Sequence, residues 1–183
     1  MTGYCKNMVF VGFLFTMFAS HLLCAPAEVE PINNEYYLPK VMELISEAET
    51  SIKIIMYTIT WYHNYPDSAS NKLVTYLAEA AKRKVKVTVI LNQDSNENKN
   101  KVVGEKLKKA GVNVLYDPVE QTTHAKLIIV DDRFVVVGSF NWSYYSLEKN
   151  NETAVVIDSK EIAQQYARYF ENIAVRSSPK SSH

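Results

Sequence analysis

The chain has 183 residues, 47% of them hydrophobic, which suits one α/β domain with a proper core and is too short for two. Its 20 basic and 20 acidic residues give a formal net charge of zero. Bulk charge therefore does not require a polyanionic partner, and a nucleic-acid interpretation must rest on local groups of basic residues.

The first 27 residues have the layout of a secretory signal peptide. A single positive charge at Lys6 precedes an apolar run from Met8 to about Ala19, and an Ala-Pro-Ala sequence ends at residue 27. This layout predicts cleavage before Glu28 and a secreted or periplasmic protein. Extended to Ala25, the apolar run reaches the lower limit for a membrane anchor, so an anchored protein is the alternative.

Both cysteines, Cys5 and Cys24, fall within this leader. We therefore expect no disulfide, no cysteine-ligated zinc and no thiol nucleophile in the remainder of the chain. The leader carries one of the 20 basic residues and none of the 20 acidic ones, so the remainder has a net charge of −1.

After the leader, we expect a polar linker over 28–35, one folded domain over 36–176 and a disordered tail over 177–183. Helical patterns follow Pro39 and Ser70, which we take as an N-cap, and they alternate with apolar strands over 51–59, 85–91 and 112–116. The predicted fold is α/β, with a mixed, mostly parallel sheet flanked by helices. Functional residues are then expected at the carboxyl ends of the parallel strands.

A polar and aromatic loop runs from Thr60 to Asp67. It either lines a groove for bases or lipids or covers the edge of the core. His63 lies alone in this loop, without ligand or catalytic spacing. Several basic residues near helix ends are either ordinary solvated ends or part of a stripe that follows phosphates: Lys82, Arg83, Lys84, Lys106, Lys108 and Lys109.

The most informative stretch runs from Thr123 to Asp131, in an apolar strand pattern expected over 124–130. His124 and Lys126 stand two residues apart, so on a strand their side chains leave the same face. Burying this ammonium without an anion would be costly, which indicates a site for an anionic group. Asp131 fits two interpretations, a member of this motif or part of a hairpin turn over 131–133.

A second polar group follows an antiparallel return strand. Gly138 permits a close approach of the backbone, while Ser139 and Asn141 alternate outward as neutral donors suited to phosphate oxygens. A short helix over 143–148, a strand over 153–157 and a final helix capped by Ser159 complete the domain.

The order His-x-Lys-x4-Asp, then Gly-Ser-x-Asn and Asn-Asn-Glu, resembles the phospholipase D superfamily. The spacing is most similar to its small single-motif members, the bacterial secreted endonucleases and the mitochondrial cardiolipin hydrolase branch. The resemblance extends more weakly over 36–175. The chain lacks the small cysteine/histidine zinc insertion that many mitochondrial members carry.

The motif residues suit the hydrolysis of a phosphodiester. A neutral imidazole at His124 can attack phosphorus and form a phosphohistidine, while Lys126, Ser139 and Asn141 hold the non-bridging oxygens. Asp131 is counted with the catalytic motif, as a support for its geometry. No metal or other cofactor is required, and no His/carboxylate cluster suited to a metal is evident.

The resemblance also implies partners for the imidazole. Glu152 matches the family's acidic residue that orients it, and the acid that protonates the leaving group is His124 of another subunit. A homodimer with a composite active site is therefore expected.

The substrate class stays open. A nuclease acting on DNA or RNA is favoured by the similarity to short bacterial nucleases and by the lysines. A phospholipase D acting on phosphatidylcholine or cardiolipin is supported by possible membrane association and by the loop aromatics Trp61, Tyr62, Tyr65, Trp142, Tyr144 and Tyr145. The complete motif argues against a non-catalytic binder of nucleic acid or lipid.

Overall fold

The computed structural model describes residues 25–93, 98–118 and 120–178. Strands β1 to β7 are Glu28–Pro31, Ser51–Met56, Lys86–Leu91, Asn113–Tyr116, Lys126–Val130, Phe134–Gly138 and Ala154–Asp158. Helices α1 to α5 are Tyr37–Glu47, Ala69–Lys82, Lys99–Lys109, Tyr144–Glu148 and Lys160–Ala174. One sheet contains all seven strands, in the order β1-β7-β6-β5-β2-β3-β4. The α/β fold with a mixed sheet and flanking helices is confirmed.

The sheet separates two cores. Alternate strand residues such as Ile54 and Ile128 pack with α1, α2 and α3 on one face, while Ile55 and Leu127 pack with α5 on the other. Because both faces are covered, β2 and β5 are apolar almost throughout. The amphipathic helices bury one stripe each, which is the usual source of helix stability in a layered domain.

The direction of the strands differs from our expectation. β2, β3 and β4 are parallel, but the other four pairings of the sheet are antiparallel. After β4 the chain reverses into β5, and the short β5–β6 connection at residues 131–133 makes an antiparallel hairpin. The sheet is therefore mixed but not mostly parallel.

The predicted N-cap of α2 also differs from the structure. Ser68, not Ser70, caps α2, because the side chain of Ser68 accepts the N–H of Asn71 at 3.4 Å. Ser70 is buried, and its hydroxyl donates to the carbonyls of Thr60 and Trp142.

The chain ends are more ordered than expected. Glu28–Pro31, predicted as linker, pairs with β7 as the edge strand β1. Ser178, predicted in the tail, bridges to Tyr116. The leader up to residue 24 and the tail from 179 lie outside the described residues. Within 25–93, 98–118 and 120–178, no helix is both long enough and apolar enough to span a bilayer.

Candidate active site

The predicted site residues meet where several strands end at one edge of the sheet. Lys126 begins β5 and pairs with Met56 at the end of β2, while Gly138 at the end of β6 pairs with Ala154 at the start of β7. Because β5 and β6 are antiparallel, the start of one lies beside the end of the other. Residues near 124, 139 and 152 are thus brought together from distant parts of the sequence.

His124 and Lys126 form the contact that their spacing predicted, although His124 lies just before β5 rather than within it. The ammonium nitrogen Nζ of Lys126 is 3.1 Å from Nδ1 and 3.3 Å from Nε2 of the imidazole, and it donates to the His124 carbonyl at 2.8 Å. Lys126 is only 8% exposed, whereas His124 is exposed. The imidazole of His124 therefore faces solvent beside a buried ammonium group.

Tyr57 packs against both residues of this pair. Its ring centroid lies 4.4 Å from that of His124 and 5.1 Å from Nζ of Lys126. The aromatic ring limits the rotamers of the imidazole and stabilises the ammonium through its π face. Sequence analysis missed Tyr57, because its proximity depends on the pairing of β2 with β5.

Burial shifts the pKa of the Lys126 ammonium. Loss of solvation lowers the pKa of Lys126 from its ordinary value of 10.5, and the negative charge of Glu152 partly opposes this shift. An ammonium held in this way is poorly solvated and is available to an anionic ligand.

Glu152 is held by three side-chain donors. Its carboxylate accepts hydrogen bonds from the hydroxyls of Ser139 and Ser146 and from the amide of Asn150, the last two at 2.9 and 3.0 Å. Burial raises the pKa of Glu152, but these bonds and the charge of Lys126 outweigh it, and the net shift is downward. Glu152 is therefore an anion at neutral pH. No hydrogen bond joins it to His124 of the same chain among the described residues.

Ser139 and Asn141 both line the cavity beside His124, as their spacing predicted. The hydroxyl of Ser139 is already engaged, since it donates to Glu152 and accepts the N–H of Thr153 at 3.1 Å. The side-chain oxygen of Asn141 is buried without a hydrogen-bond partner in the described part of the chain. This oxygen is an acceptor, so its unused capacity suits a donor, and only the side-chain N–H₂ of Asn141 can donate to a phosphate oxygen.

The cavity at this edge has a volume of about 530 Å³ and is open to solvent. Its walls come from β5, β6, the following loop and α5: His124, Ala125, Lys126, Leu127, Val137, Gly138, Ser139, Asn141, Tyr166 and Tyr169. Tyr166 and Tyr169 of α5 form one wall of the cavity, and Tyr166 also packs against the core on that face of the sheet. The cavity can admit a phosphate group together with part of its substituents.

Asp131 lies at the opposite end of β5 from this cavity. It lies five positions along the strand from Lys126, a distance of roughly 16 Å. Its carboxylate accepts the backbone N–H groups of Glu49, Thr50 and Ser51 at 2.8 to 2.9 Å. The structure therefore does not bring Asp131 to the other motif residues. Asp131 instead holds the backbone of the turn between α1 and β2.

The aromatic residues divide into two groups. Trp142 is fully buried and donates from its indole nitrogen to the hydroxyl of Tyr37 at 3.1 Å, so it is core and not a loop residue. Four tyrosines instead line a second groove of about 700 Å³: Tyr62, Tyr65, Tyr144 and Tyr145. His63 is exposed and lines neither this groove nor the cavity at His124.

Several of the basic residues contact protein groups. Arg83 donates to the carbonyl of Ile45 at 2.9 Å, and Lys108 pairs with Glu105 at 3.0 Å. Lys106 lies 3.9 Å from the ring centroid of Trp61. These contacts weaken the interpretation of the six residues as one continuous stripe for phosphates.

Gly138 is expected to be intolerant of a side chain. A Cβ atom there would meet the carbonyl oxygen of Thr153 and lie 2.5 Å from the Cβ of Ala154. Gly138→Ala should therefore separate β6 from β7, cost about 1–3 kcal/mol of unfolding free energy and lower activity. Urea denaturation measures the loss of unfolding free energy. A urea midpoint equal to that of wild type would contradict the expectation. Gly111→Ala is unsuitable as a control because Gly111 has a φ of +89°, so Val102→Ala on the exposed side of α3 serves instead.

Comparison with known proteins agrees with this geometry. A family model described as the cardiolipin synthase, PLD-like domain matches residues 41–174. A phospholipase D of Rickettsia felis is 32% identical over 100 residues, which are 55% of this chain and 50% of that protein. A mitochondrial cardiolipin hydrolase of Xenopus tropicalis is 27% identical over 142 residues, which are 78% of this chain and 63% of that protein. The chain thus spans less than two thirds of the length of these curated relatives.

Among solved structures, Nuc from Salmonella typhimurium, a phospholipase D family member, has the same fold. The two structures align with a TM-score of 0.74 and 23% sequence identity. The alignment covers 86% of this chain and 100% of the Nuc chain. The family model covers well over half of the chain and contains every predicted site residue. The chain therefore belongs to the phospholipase D superfamily, through its PLD-like domain.

Proposed function

We propose that this protein is a metal-independent phosphodiesterase that acts on DNA or RNA through a phosphohistidine at His124. The observation that carries the proposal is the exposed imidazole of His124 beside the buried ammonium of Lys126, in an open cavity. Membership of the phospholipase D superfamily supports the reaction class. Similarity in fold and length to Nuc favours nucleic acid as the substrate.

The proposed reaction has two steps. In the first, a neutral ring nitrogen of His124 bonds to phosphorus, the bond from phosphorus to the leaving oxygen breaks, and an acid protonates that oxygen. In the second, water gives up a proton to the group that acted as the acid in the first step and bonds to phosphorus, while the bond from phosphorus to nitrogen breaks. Lys126 and the side-chain N–H₂ of Asn141 stabilise the charge on the non-bridging oxygens in both transition states.

The acid is proposed to be His124 of a second copy of the chain. In the part of the chain that the structure describes, the site contains a single histidine, and Glu152 is an anion held by three donors. A homodimer with a twofold axis beside the cavity would bring two imidazoles to one phosphate, one neutral and one protonated. This arrangement makes dimerisation necessary for activity.

A phospholipid substrate is the second candidate. The specific observation in its favour is the groove of about 700 Å³ with its four tyrosines, since aromatic residues suit the interface between a headgroup and lipid chains. The relatives named phospholipase D and mitochondrial cardiolipin hydrolase point the same way. Export, or anchoring through the N-terminal apolar segment, is proposed for either substrate.

Incubation with excess chelator tests the reaction class and the substrate together. The purified protein is given plasmid DNA, single-stranded DNA and RNA, and vesicles of phosphatidylcholine or cardiolipin. We expect cleavage of nucleic acid at nearly the rate seen without chelator, because side chains supply the phosphate contacts. A His124→Asn preparation controls for contaminating nuclease. Activity that disappears with chelator and returns with Mg²⁺ would contradict the proposal, and cleavage of the vesicles alone would favour the second candidate.

A further inference from the structure

The segment that follows β1 runs directly behind the site residues. Ile32 is buried and its N–H donates to the carbonyl of Ala154 at 2.8 Å, which continues the pairing of β1 with β7. At residues 33 and 34, side chains add to this backbone pairing. We call residues 32–37 the N-terminal brace.

Asn34 binds the backbone of Glu152 on both sides. Its side-chain oxygen accepts the N–H of Glu152 at 2.9 Å, and its own N–H donates to the Glu152 carbonyl at 3.2 Å. Asn34 has a φ of +48°, in the left-handed region that asparagine tolerates better than most residues. This turn directs both its amide side chain and its backbone N–H at one residue.

The neighbouring residues of the brace hold the rest of the site. The side-chain oxygen of Asn33 accepts the hydroxyl of Thr153 at 2.6 Å, and Thr153 donates its N–H to Ser139. The ring of Tyr37 stacks on Phe140 at a centroid distance of 3.9 Å, and its hydroxyl accepts from Trp142. The brace therefore contacts residues on either side of Ser139 and Asn141.

Glu152 needs such support because little regular structure surrounds it. Residues 149–151 before it are exposed and belong to no helix or strand, and β7 begins two residues later. Its carboxylate must nevertheless meet three donors and the charge of Lys126 at once. A shift of about 1 Å in such a group is enough to cost about 100-fold in rate.

We propose that Asn34 is a positioning residue for Glu152, and that the N-terminal brace is part of the active site although it lies outside the motif. This inference rests on the proposed phosphodiesterase function. Through Glu152, Asn34 fixes the hydroxyl of Ser139 and the field at Lys126. Asn34 itself does not touch the reacting phosphate.

The test uses three variants of the whole chain. Asn34→Gly keeps the left-handed backbone available and removes the acceptor oxygen, while Asn34→Asp keeps an acceptor at the same place. Lys84→Gly is the matched control, because Lys84 also has a positive φ of 74° and lies in the turn between α2 and β3, away from the cavity.

We expect Asn34→Gly to lower kcat about 10- to 100-fold and to weaken the binding of phosphate about tenfold, because a displaced Glu152 alters both the position of the Ser139 hydroxyl and the electric field at Lys126. Asn34→Asp should recover most of the lost kcat, and Lys84→Gly should behave as wild type. Equal kcat for Asn34→Gly and wild type would contradict the inference. An Asn34→Asp variant as slow as Asn34→Gly would also contradict it, because the acceptor oxygen would then not matter.

A second measurement separates this inference from the proposed function. Binding of inorganic phosphate is measured by calorimetry for wild type, Asn34→Gly and Lys84→Gly. If wild type cleaves no phosphodiester, the proposed function fails, but an affinity for phosphate about tenfold weaker in Asn34→Gly alone still supports the positioning role. Equal affinities in all three proteins, or no binding by any, would overturn it.

Discussion

Wild-type chains co-assembled with a ninefold excess of His124→Asn chains should retain only about one-tenth of their activity per wild-type chain. With random pairing, about nine in ten wild-type chains then sit in mixed dimers, where one of the two required imidazoles is missing. Asparagine keeps a polar side chain beside Lys126 and cannot act as nucleophile or acid. Activity is measured after denaturation and joint refolding, and the proportion of mixed dimers is checked by mass spectrometry.

The reason for this result is the number of histidines available. The sequence has four, and His124 alone among the described residues lines the cavity with Lys126. His63→Asn is the matched control, since this exposed histidine lies outside the cavity, and an excess of these chains should leave activity per total chain unchanged. Activity per wild-type chain that is independent of the His124→Asn excess would mean that each subunit holds a complete site.

Lys126→Ala should reduce kcat about 100- to 1,000-fold, the loss typical of removing one donor to a transition-state oxyanion. The effect is large because Lys126 is buried, so its charge is little screened by water. Lys53→Ala is a suitable control, because Lys53 is also a lysine of the sheet but pairs with Asp132 at 2.6 Å, at the far end of β2 and β5. A Lys126→Ala rate within tenfold of wild type would assign Lys126 a structural role.

Lys126 also affects how the activity of the wild-type enzyme changes at alkaline pH. The phosphate contact requires the protonated ammonium, and burial lowers the pKa of Lys126 below the ordinary 10.5. In addition to the decline that deprotonation of the acid imidazole causes, activity should decline a second time as pH rises through this lowered pKa, earlier than an exposed lysine would allow. Lys126→Arg, which stays charged at all accessible pH values, should lack this second decline if it retains measurable activity.

Local patterns in the sequence predicted much of this structure. The spacing of two between His124 and Lys126 correctly placed their side chains together, because a strand or extended segment fixes which residues share a face. The apolar run of β2 and the Ser159 cap of α5 were likewise readable from neighbouring residues alone. These features depend on chemistry within a few positions of one another.

Other features depend on pairings that neighbouring residues do not specify. Tyr57 and Ser146 reach the site only through the β2–β5 pairing and the packing of α4. The sequence of β1, Glu-Val-Glu-Pro, has poor strand propensity and becomes a strand because β7 offers an open edge. Trp142 lies in a polar stretch and was taken for a loop aromatic, although alternation with Asn141 sends it into the core.

The hydrogen bonds around Glu152 also fix the direction in which protons point. The backbone N–H of Thr153 occupies a lone pair of the Ser139 hydroxyl, and the N–H of Asn141 does the same for Ser146 at 2.9 Å. Each hydroxyl therefore has its own O–H free to donate, and both donate it in a hydrogen bond to Glu152. A carboxylate that accepts hydrogen bonds from every side has no proton to give, so Glu152 cannot protonate the leaving group, and the proposed reaction takes that proton from the second copy of the chain.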